Sequence, residues 1–264
     1  MSKPTLHFAH ANSFPAGTYR VLFEALRHHY DVRASDILAH NPKYPVTDGW
    51  SNLTEELLAD VKAQSSQPVI LVGHSMGGML SLMAAKAQPQ LVRAVVLLDA
   101  PVVAGWRATV VKMARNTKIG DMFSPARFSV KRRKFWSNTE AAYEHFASKD
   151  IFAKWAPGVL RDYIEQGFVP HAEGVTLRFT RETETAVYRG LPDHIGSLVK
   201  NDFPVPVGFI GGVDSEECRR AGLDATRKLV GSHYRQVAGG HLFPMEVPGI
   251  AAATIHELIQ SMTA

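Results

Sequence analysis

Short apolar runs recur along the chain, each bounded by turn residues and most followed by a stretch of helical spacing. Thr5-Leu6-His7-Phe8-Ala9 predicts a strand. So do Tyr30 to Ile37, Val69 to Val72, Arg93 to Leu98, Pro204 to Ile210 and His233 to Val237. Between them, Val21, Leu22, Ala25 and Leu26 fall along one face of a helix over Thr18 to His29. Asn52-Leu53-Thr54-Glu55-Glu56 opens a second helix. Met79 to Ala87, rich in Leu, Met, Ala and Lys, predicts a third, closed by Pro89. Ser215 to Val230 and Val247 to Met262 read as two more. Residues 38–50 carry the turn signals Asn41-Pro42, Tyr44-Pro45 and Asp48-Gly49.

The alternation stops between Val102 and about Phe203. Helical runs rich in aromatics replace it: Trp106, Phe123, Phe128, Phe135, Trp136, Phe146, Phe152 and Trp155. The chain therefore divides into a core, residues 1–101 and 204–264, and an inserted segment, residues 102–203. No internal repeat or low-complexity segment interrupts either part.

One stretch carries more chemistry than the rest. The strand Val69–Val72 runs into Gly73-His74-Ser75-Met76-Gly77, a G-x-S-x-G pentapeptide, then Gly78 and a helix. A serine held between strand and helix sits in a strained conformation. The residues two before and two after it crowd each other, so both are glycine. The helix aims its N-terminal amides and the positive end of its dipole at the serine, where an oxyanion would be stabilised.

This stretch resembles the nucleophile elbow of the α/β-hydrolase superfamily, in the form found in small serine esterases and lipase-like enzymes. The resemblance implies an α/β-hydrolase fold. Because the chain opens at Thr5, the first two strands of the full superfamily sheet are expected to be absent. That leaves about six mostly parallel strands flanked by helices, with residues 102–203 as a helical cap. It also implies that the loop after the first strand, His10-Ala11-Asn12, supplies an oxyanion-hole amide. By position the donor is the N–H of Asn12, paired with that of Met76. Alanine at Ala11 departs from the usual glycine there. His10 is read as a buried imidazole pinning the loop, and His74, next to Ser75, as packing.

Ser75 needs a base, and the base an orienting acid. His241 follows the last strand in Ala238-Gly239-Gly240-His241, and Asp214 follows the strand before it. Ser75, Asp214, His241 is the chain order of the superfamily. Asp99, also at a strand end, is the rival acid, read otherwise as a cap at the mouth of the insertion. Phe14, Trp106, Phe123 and Phe128 are the expected substrate-binding residues.

Composition narrows the rest. With 264 residues, 45% hydrophobic and 20% charged, the chain can build one substantial core and is not expected to be disordered. Cys218 is the single cysteine, so no internal disulfide is available and a structural zinc site lacks ligands. The start shows no leader pattern, and no apolar run reaches membrane-spanning length. A soluble cytoplasmic protein is the expectation, with a homodimer allowed for.

The net charge is +4, yet the span Gly105 to Phe135 alone holds Arg107, Lys112, Arg115, Lys118, Arg127, Lys131, Arg132, Arg133 and Lys134 against Asp121. That span is net +8 and the remainder net −4, so the basicity belongs to the insertion. It either attracts an anionic partner or forms a solvated face. Nucleic acid is not expected, because no recognition motif accompanies it.

The resulting expectation is a serine hydrolase acting on a small-molecule carboxylic ester through an acyl-enzyme, with no metal or organic cofactor. Thioester, lactone or C–C hydrolysis, acyl transfer, cofactor-free peroxidation, and a low-turnover receptor use the same residues and stay open. Haloalkane dehalogenases and epoxide hydrolases are disfavoured, since those relatives carry aspartate where Ser75 stands.

Overall fold

The computed structural model describes residues 3–105, 108–109 and 126–263. Six strands form one parallel sheet: β1 (Thr5–Ala9), β2 (Asp31–Ala34), β3 (Val69–His74), β4 (Val92–Leu98), β8 (Val207–Gly212) and β9 (Tyr234–Val237). Their order is β2-β1-β3-β4-β8-β9. Every residue of β3 and β8 is buried, and in β4 only Arg93 is exposed. A parallel strand covered on both faces reads as a continuous apolar run, which is why the central strands are legible as Val-Ile-Leu-Val and Ala-Val-Val-Leu-Leu.

The two-residue period of a strand splits these side chains between two cores. Ile70, Val72, Val96 and Leu98 pack with α1 (Arg20–Leu26) and the last helix, Pro248–Thr263. Val69, Leu71, Val95 and Leu97 pack with α2 (Ser51–Gln64) and α3 (Met76–Ala87).

Several boundaries differ from the sequence reading. Strand β2 is only four residues long and lies at the sheet edge. Helix α3 starts at Met76, directly after the serine. Strand β8 continues through Gly212, because Gly211 and Gly212 pair with Gln236 and Val237 rather than turning away. The helix over 215–230 is two, Glu216–Ala221 and Asp224–Val230, divided at Gly222, whose φ of 73° cannot continue a right-handed helix.

The segment between β4 and β8 is not helical alone. Alongside the helices α4 (Ala126–Ser129), α5 (Thr139–Ala147), α6 (Asp150–Ala153), α7 (Val159–Gly167), α8 (Arg181–Arg189) and α9 (Ile195–Leu198), it carries a three-stranded antiparallel sheet. That sheet pairs β5 (Phe135–Trp136), β7 (Gly174–Leu177) and β6 (Phe168–His171). Strands of two to four residues leave too little alternation to be told from loop.

Trp136, Phe146, Phe152 and Trp155 are buried here and join the core that includes Leu6, Phe8 and α1. Phe128 is 66% exposed. Trp106 and Phe123 lie outside the described residues, as do Arg107, Lys112, Arg115, Lys118 and Asp121. Among the described residues, no helix is long and apolar enough to cross a membrane.

The sheet order places the site. From β1 the chain moves outward to β2, then returns to β3 on the other side of β1. The loops after β1 and β3 therefore diverge, and the crevice between them lies beyond the carboxyl ends of the strands, where open α/β sheets bind ligands.

Candidate active site

Ser75 follows β3 with φ 52° and ψ −113°, a conformation that L-residues rarely adopt. It is held there by close packing. Its N–H donates to the Leu98 carbonyl at 2.9 Å, and Gly78 N–H donates to the Ser75 carbonyl at 3.0 Å. A Cβ on Gly73 would lie 2.3 Å from the Gly77 carbonyl carbon, and one on Gly77 would lie 2.0 Å from the Ala9 carbonyl oxygen. The two glycines let the elbow press against itself and against the end of β1.

His241 Nε2 lies 3.1 Å from Ser75 Oγ, and its Nδ1 lies 2.8 Å from Asp99 Oδ1. The carboxylate on the imidazole is thus that of Asp99, not of Asp214. Asp99 directly follows β4 in a left-handed conformation, φ 43°, with its side chain fully buried. Its Oδ1 also accepts from Ser215 Oγ at 2.6 Å, and its Oδ2 accepts from Gly212 N–H at 2.8 Å.

Asp214 sits two residues past the longer β8. Its N–H is turned onto the Gly239 carbonyl and the residue is exposed. The end of β8 therefore supplies donors to a carboxylate from β4 instead of supplying the carboxylate.

The electrostatics follow. Burial alone would raise the Asp99 pKa, but the hydrogen bond and charge of His241, together with the hydrogen bonds from Ser215 and Gly212, outweigh it and hold the carboxyl below its ordinary value. Burial would lower that of His241, but the hydrogen bond and charge of Asp99 raise it above 6.5. With Nδ1–H directed at Asp99, the Nε2 lone pair faces Ser75.

The loop bearing His241 is pinned at two points. Gly240 N–H donates to Glu246 Oε2 at 2.9 Å, and His74 Nε2 donates to the His241 carbonyl at 2.8 Å. His74 Nδ1 in turn accepts from the Tyr19 hydroxyl at 2.7 Å, and that hydroxyl accepts from Ala11 N–H at 3.1 Å. His74 is fully buried, its pKa pushed down to about 3 by burial first and by the His241 charge second. It is more than the packing residue read from sequence, because it ties the His241 loop to the loop after β1.

His10 is fully buried and pins that loop, donating from Nδ1 to the Ala11 carbonyl and accepting from Leu38 N–H. Asn12 and Met76 are both buried. Among the described residues, no carbonyl or side chain takes either of their backbone N–H groups.

A cleft of about 510 Å³ opens beside His241, and Phe14 and Phe128 line it. Asp99, Glu217 and His241 hold ligand-type atoms within 4.8 Å of one another. Both Asp99 oxygens and both His241 nitrogens are engaged in hydrogen bonds with protein groups. Ser215, Tyr19 and Glu246 carried no sequence signal, since each acts through a tertiary contact.

A family model described as alpha/beta hydrolase family matches residues 8–254. The chain belongs to the alpha/beta hydrolase family. Solved structures resemble this α/β hydrolase over nearly its whole length. An E-2-(acetamidomethylene)succinate hydrolase superposes with a TM-score of 0.79 at 21% identity, covering 98% of this chain and 92% of that one. A peroxisomal alpha-beta-hydrolase from Saccharomyces cerevisiae gives 0.79 at 15%, covering 100% and 78%. An enol-lactonase from Burkholderia xenovorans gives 0.62 at 16%, covering 98% and 92%. At these identities the likeness concerns the fold. No curated protein matches the chain in sequence.

Proposed function

We propose that this α/β hydrolase cleaves carboxylic esters through an acyl-enzyme on Ser75, with His241 as general base and acid and Asp99 as the residue that orients it. The observation that carries the reading is the continuous chain from Ser75 Oγ through His241 to the buried Asp99 carboxylate, with both contacts within hydrogen-bond reach.

In this reading Ser75 Oγ bonds to the substrate carbonyl carbon as its proton passes to His241 Nε2. Asp99 steadies the imidazolium through Nδ1–H. The tetrahedral oxyanion is received by the N–H groups of Met76, at the start of α3, and of Asn12. His241 then returns the proton to the departing alkoxide, and the carbon–oxygen bond to the leaving group breaks. Water, deprotonated by the same nitrogen, releases the acid.

The segment 102–203 serves as a cap in this reading, because its described part contributes Phe128, Arg132 and Phe146 to the wall of the cleft at His241. A cytoplasmic location is proposed on the single cysteine, Cys218, which is buried. The similar structures include an esterase, a thioesterase domain and an enol-lactonase, so the fold leaves the leaving group open.

The test is covalent. A fluorophosphonate probe is expected to label Ser75, and Ser75→Ala is expected to lose p-nitrophenyl ester hydrolysis by about a thousandfold or more. Labelling elsewhere, with activity intact in Ser75→Ala, overturns the proposal.

A further inference from the structure

The cleft at His241 has an unbalanced wall. Lys131, Arg132, Arg133 and Lys149 line it, against the carboxylates of Glu184 and Glu217. Arg132 is paired, with Nη1 2.8 Å from Glu184 Oε2 and Nη2 donating to the Tyr163 hydroxyl at 2.6 Å. Lys131, Arg133 and Lys149 make no ion pair with a carboxylate among the described residues. Two of them rest instead on aromatic faces. Lys149 Nζ is 4.8 Å from the centre of the Phe146 ring, and the Arg133 guanidinium is 5.3 Å from that of Trp136.

The crowding of cations shows in their neighbours. The pKa of Lys149 is pushed down by burial and then by Arg132, and that of His145 by burial and then by Lys149, Arg133 and Arg132.

Two further observations point the same way. Ser13, next to Asn12, lines this cleft with φ 76° and is 5% exposed, yet its hydroxyl has no hydrogen-bond partner. A buried hydroxyl left unmet on a cleft wall is a donor waiting for an acceptor. A second cleft, about 340 Å³, shares Ile151, Glu217, His241 and Leu242 with the first and is otherwise lined by Asp150, Asp214, Glu216 and Glu246 against Lys154. His241 therefore borders both a basic cleft and an acidic one, and an anion is drawn to the first and turned away from the second.

We propose that the substrate carries an anionic group, a carboxylate or a phosphate, which this basic cleft holds through Arg133, Lys149 and the Ser13 hydroxyl while the scissile carbonyl sits at Ser75. The inference rests on the serine-hydrolase reading and adds a substrate class to it. A carboxylate on a small acyl group and a phosphate on a large thiol leaving group share the required chemistry, and matched substrates distinguish them.

The experiment compares kcat/KM for p-nitrophenyl butyrate with that for mono-p-nitrophenyl succinate, and for butyryl-pantetheine with that for butyryl-coenzyme A. Both pairs are measured from low salt to about 0.15 M, where the Debye length shortens to about 8 Å. The expected result is that the charged member of one pair is preferred about tenfold or more at low salt, with the preference shrinking as salt rises. Preference for the succinate identifies the carboxylate source, and preference for the coenzyme A ester the phosphate source.

In the double variant Arg133→Ala with Lys149→Ala, the loss appears as a raised KM for the charged substrate, so the charged-to-neutral ratio falls towards one. Lys149→Arg, which keeps the charge, retains the ratio. Thermal unfolding of each variant checks the fold. If neutral esters are hydrolysed, Ser75 is labelled, and neither pair shows a charge preference or a salt response, the inference is overturned while the hydrolase reading stands. Absence of both labelling and turnover would instead overturn the hydrolase reading.

Discussion

Replacing Asp99 by asparagine removes one charge from a side chain with no exposed surface, three hydrogen bonds and His241 as a neighbour. An amide cannot satisfy that pattern. If its oxygen faces His241 and Ser215, its NH2 group meets the N–H of Gly212. If the NH2 group faces His241, Nδ1 must accept, the proton moves to Nε2, and the imidazole cannot take a proton from Ser75. The wrong tautomer in a triad of this kind costs about ten-thousandfold in kcat, or about 5 kcal/mol of barrier. One buried donor left unmet costs on the order of 1–3 kcal/mol of stability, which lowers Tm by several degrees in a chain of this size.

Asp214→Asn changes an exposed group with no side-chain role at His241. It should leave stability within about 0.5 kcal/mol and kcat within about twofold. The assay is kcat on a p-nitrophenyl ester, beside a melting curve for each variant. The pH profile adds a second reading. His241 must be neutral to act as base, and Asp99 raises its pKa, so the acid limb of kcat/KM should lie above pH 6.5 and move down in Asp99→Asn. A crippled Asp214→Asn beside a nearly normal Asp99→Asn refutes the assignment. A normal Asp99→Asn with its acid limb unmoved does so too.

Other outcomes follow from the same packing. The Ser75 and charge-preference experiments above test the proposed nucleophile and the proposed role of the basic cleft separately. Tyr19→Phe leaves Ala11 N–H and His74 Nδ1 unmet in the interior. It should cost about 1–3 kcal/mol by denaturant titration and lower kcat more than it changes KM, because the loop before Asn12 loses its tie to the His241 loop.

Burial holds His7 and His10 at a pKa of about 4 and His74 at about 3. The unfolded chain binds protons on these groups below about pH 6.5, where the native chain does not. Stability should therefore rise with pH from about 4 to 6.5, and be lost on acidification by on the order of 3 kcal/mol per histidine. Glu56, pushed up to about 7 by burial, opposes this as a single group. A denaturant midpoint unchanged between pH 4.5 and 6.5 would contradict that account.

What the sequence determined by itself is the part of the molecule whose physics is local. The strand Val69–Val72, the two glycines around Ser75 and the helix after it are neighbours in the chain, and their crowding is a property of that segment alone. The central strands β3 and β4 were legible because a parallel strand buried on both faces reads as a continuous apolar run. The edge strand β2, part-exposed and only four residues long, was read too long. His241 was legible from its glycine loop at a strand end.

Only the tertiary structure decided which carboxylate faces it. Asp99 and Asp214 both follow strands, and strands β4 and β8 are adjacent, so either could in principle reach the imidazole. The choice turned on Gly211 and Gly212 extending β8 by pairing with β9, which carried Asp214 past the site and left Gly212 N–H and the Ser215 hydroxyl to clamp Asp99. The tie from Ala11 through Tyr19 and His74 to His241, and the convergence of Ser13, Arg133 and Lys149 on one cleft, likewise join residues far apart in sequence. Nothing in the spacing of such residues records a contact, because the contact is made by the packing of whole elements rather than by the chain between them.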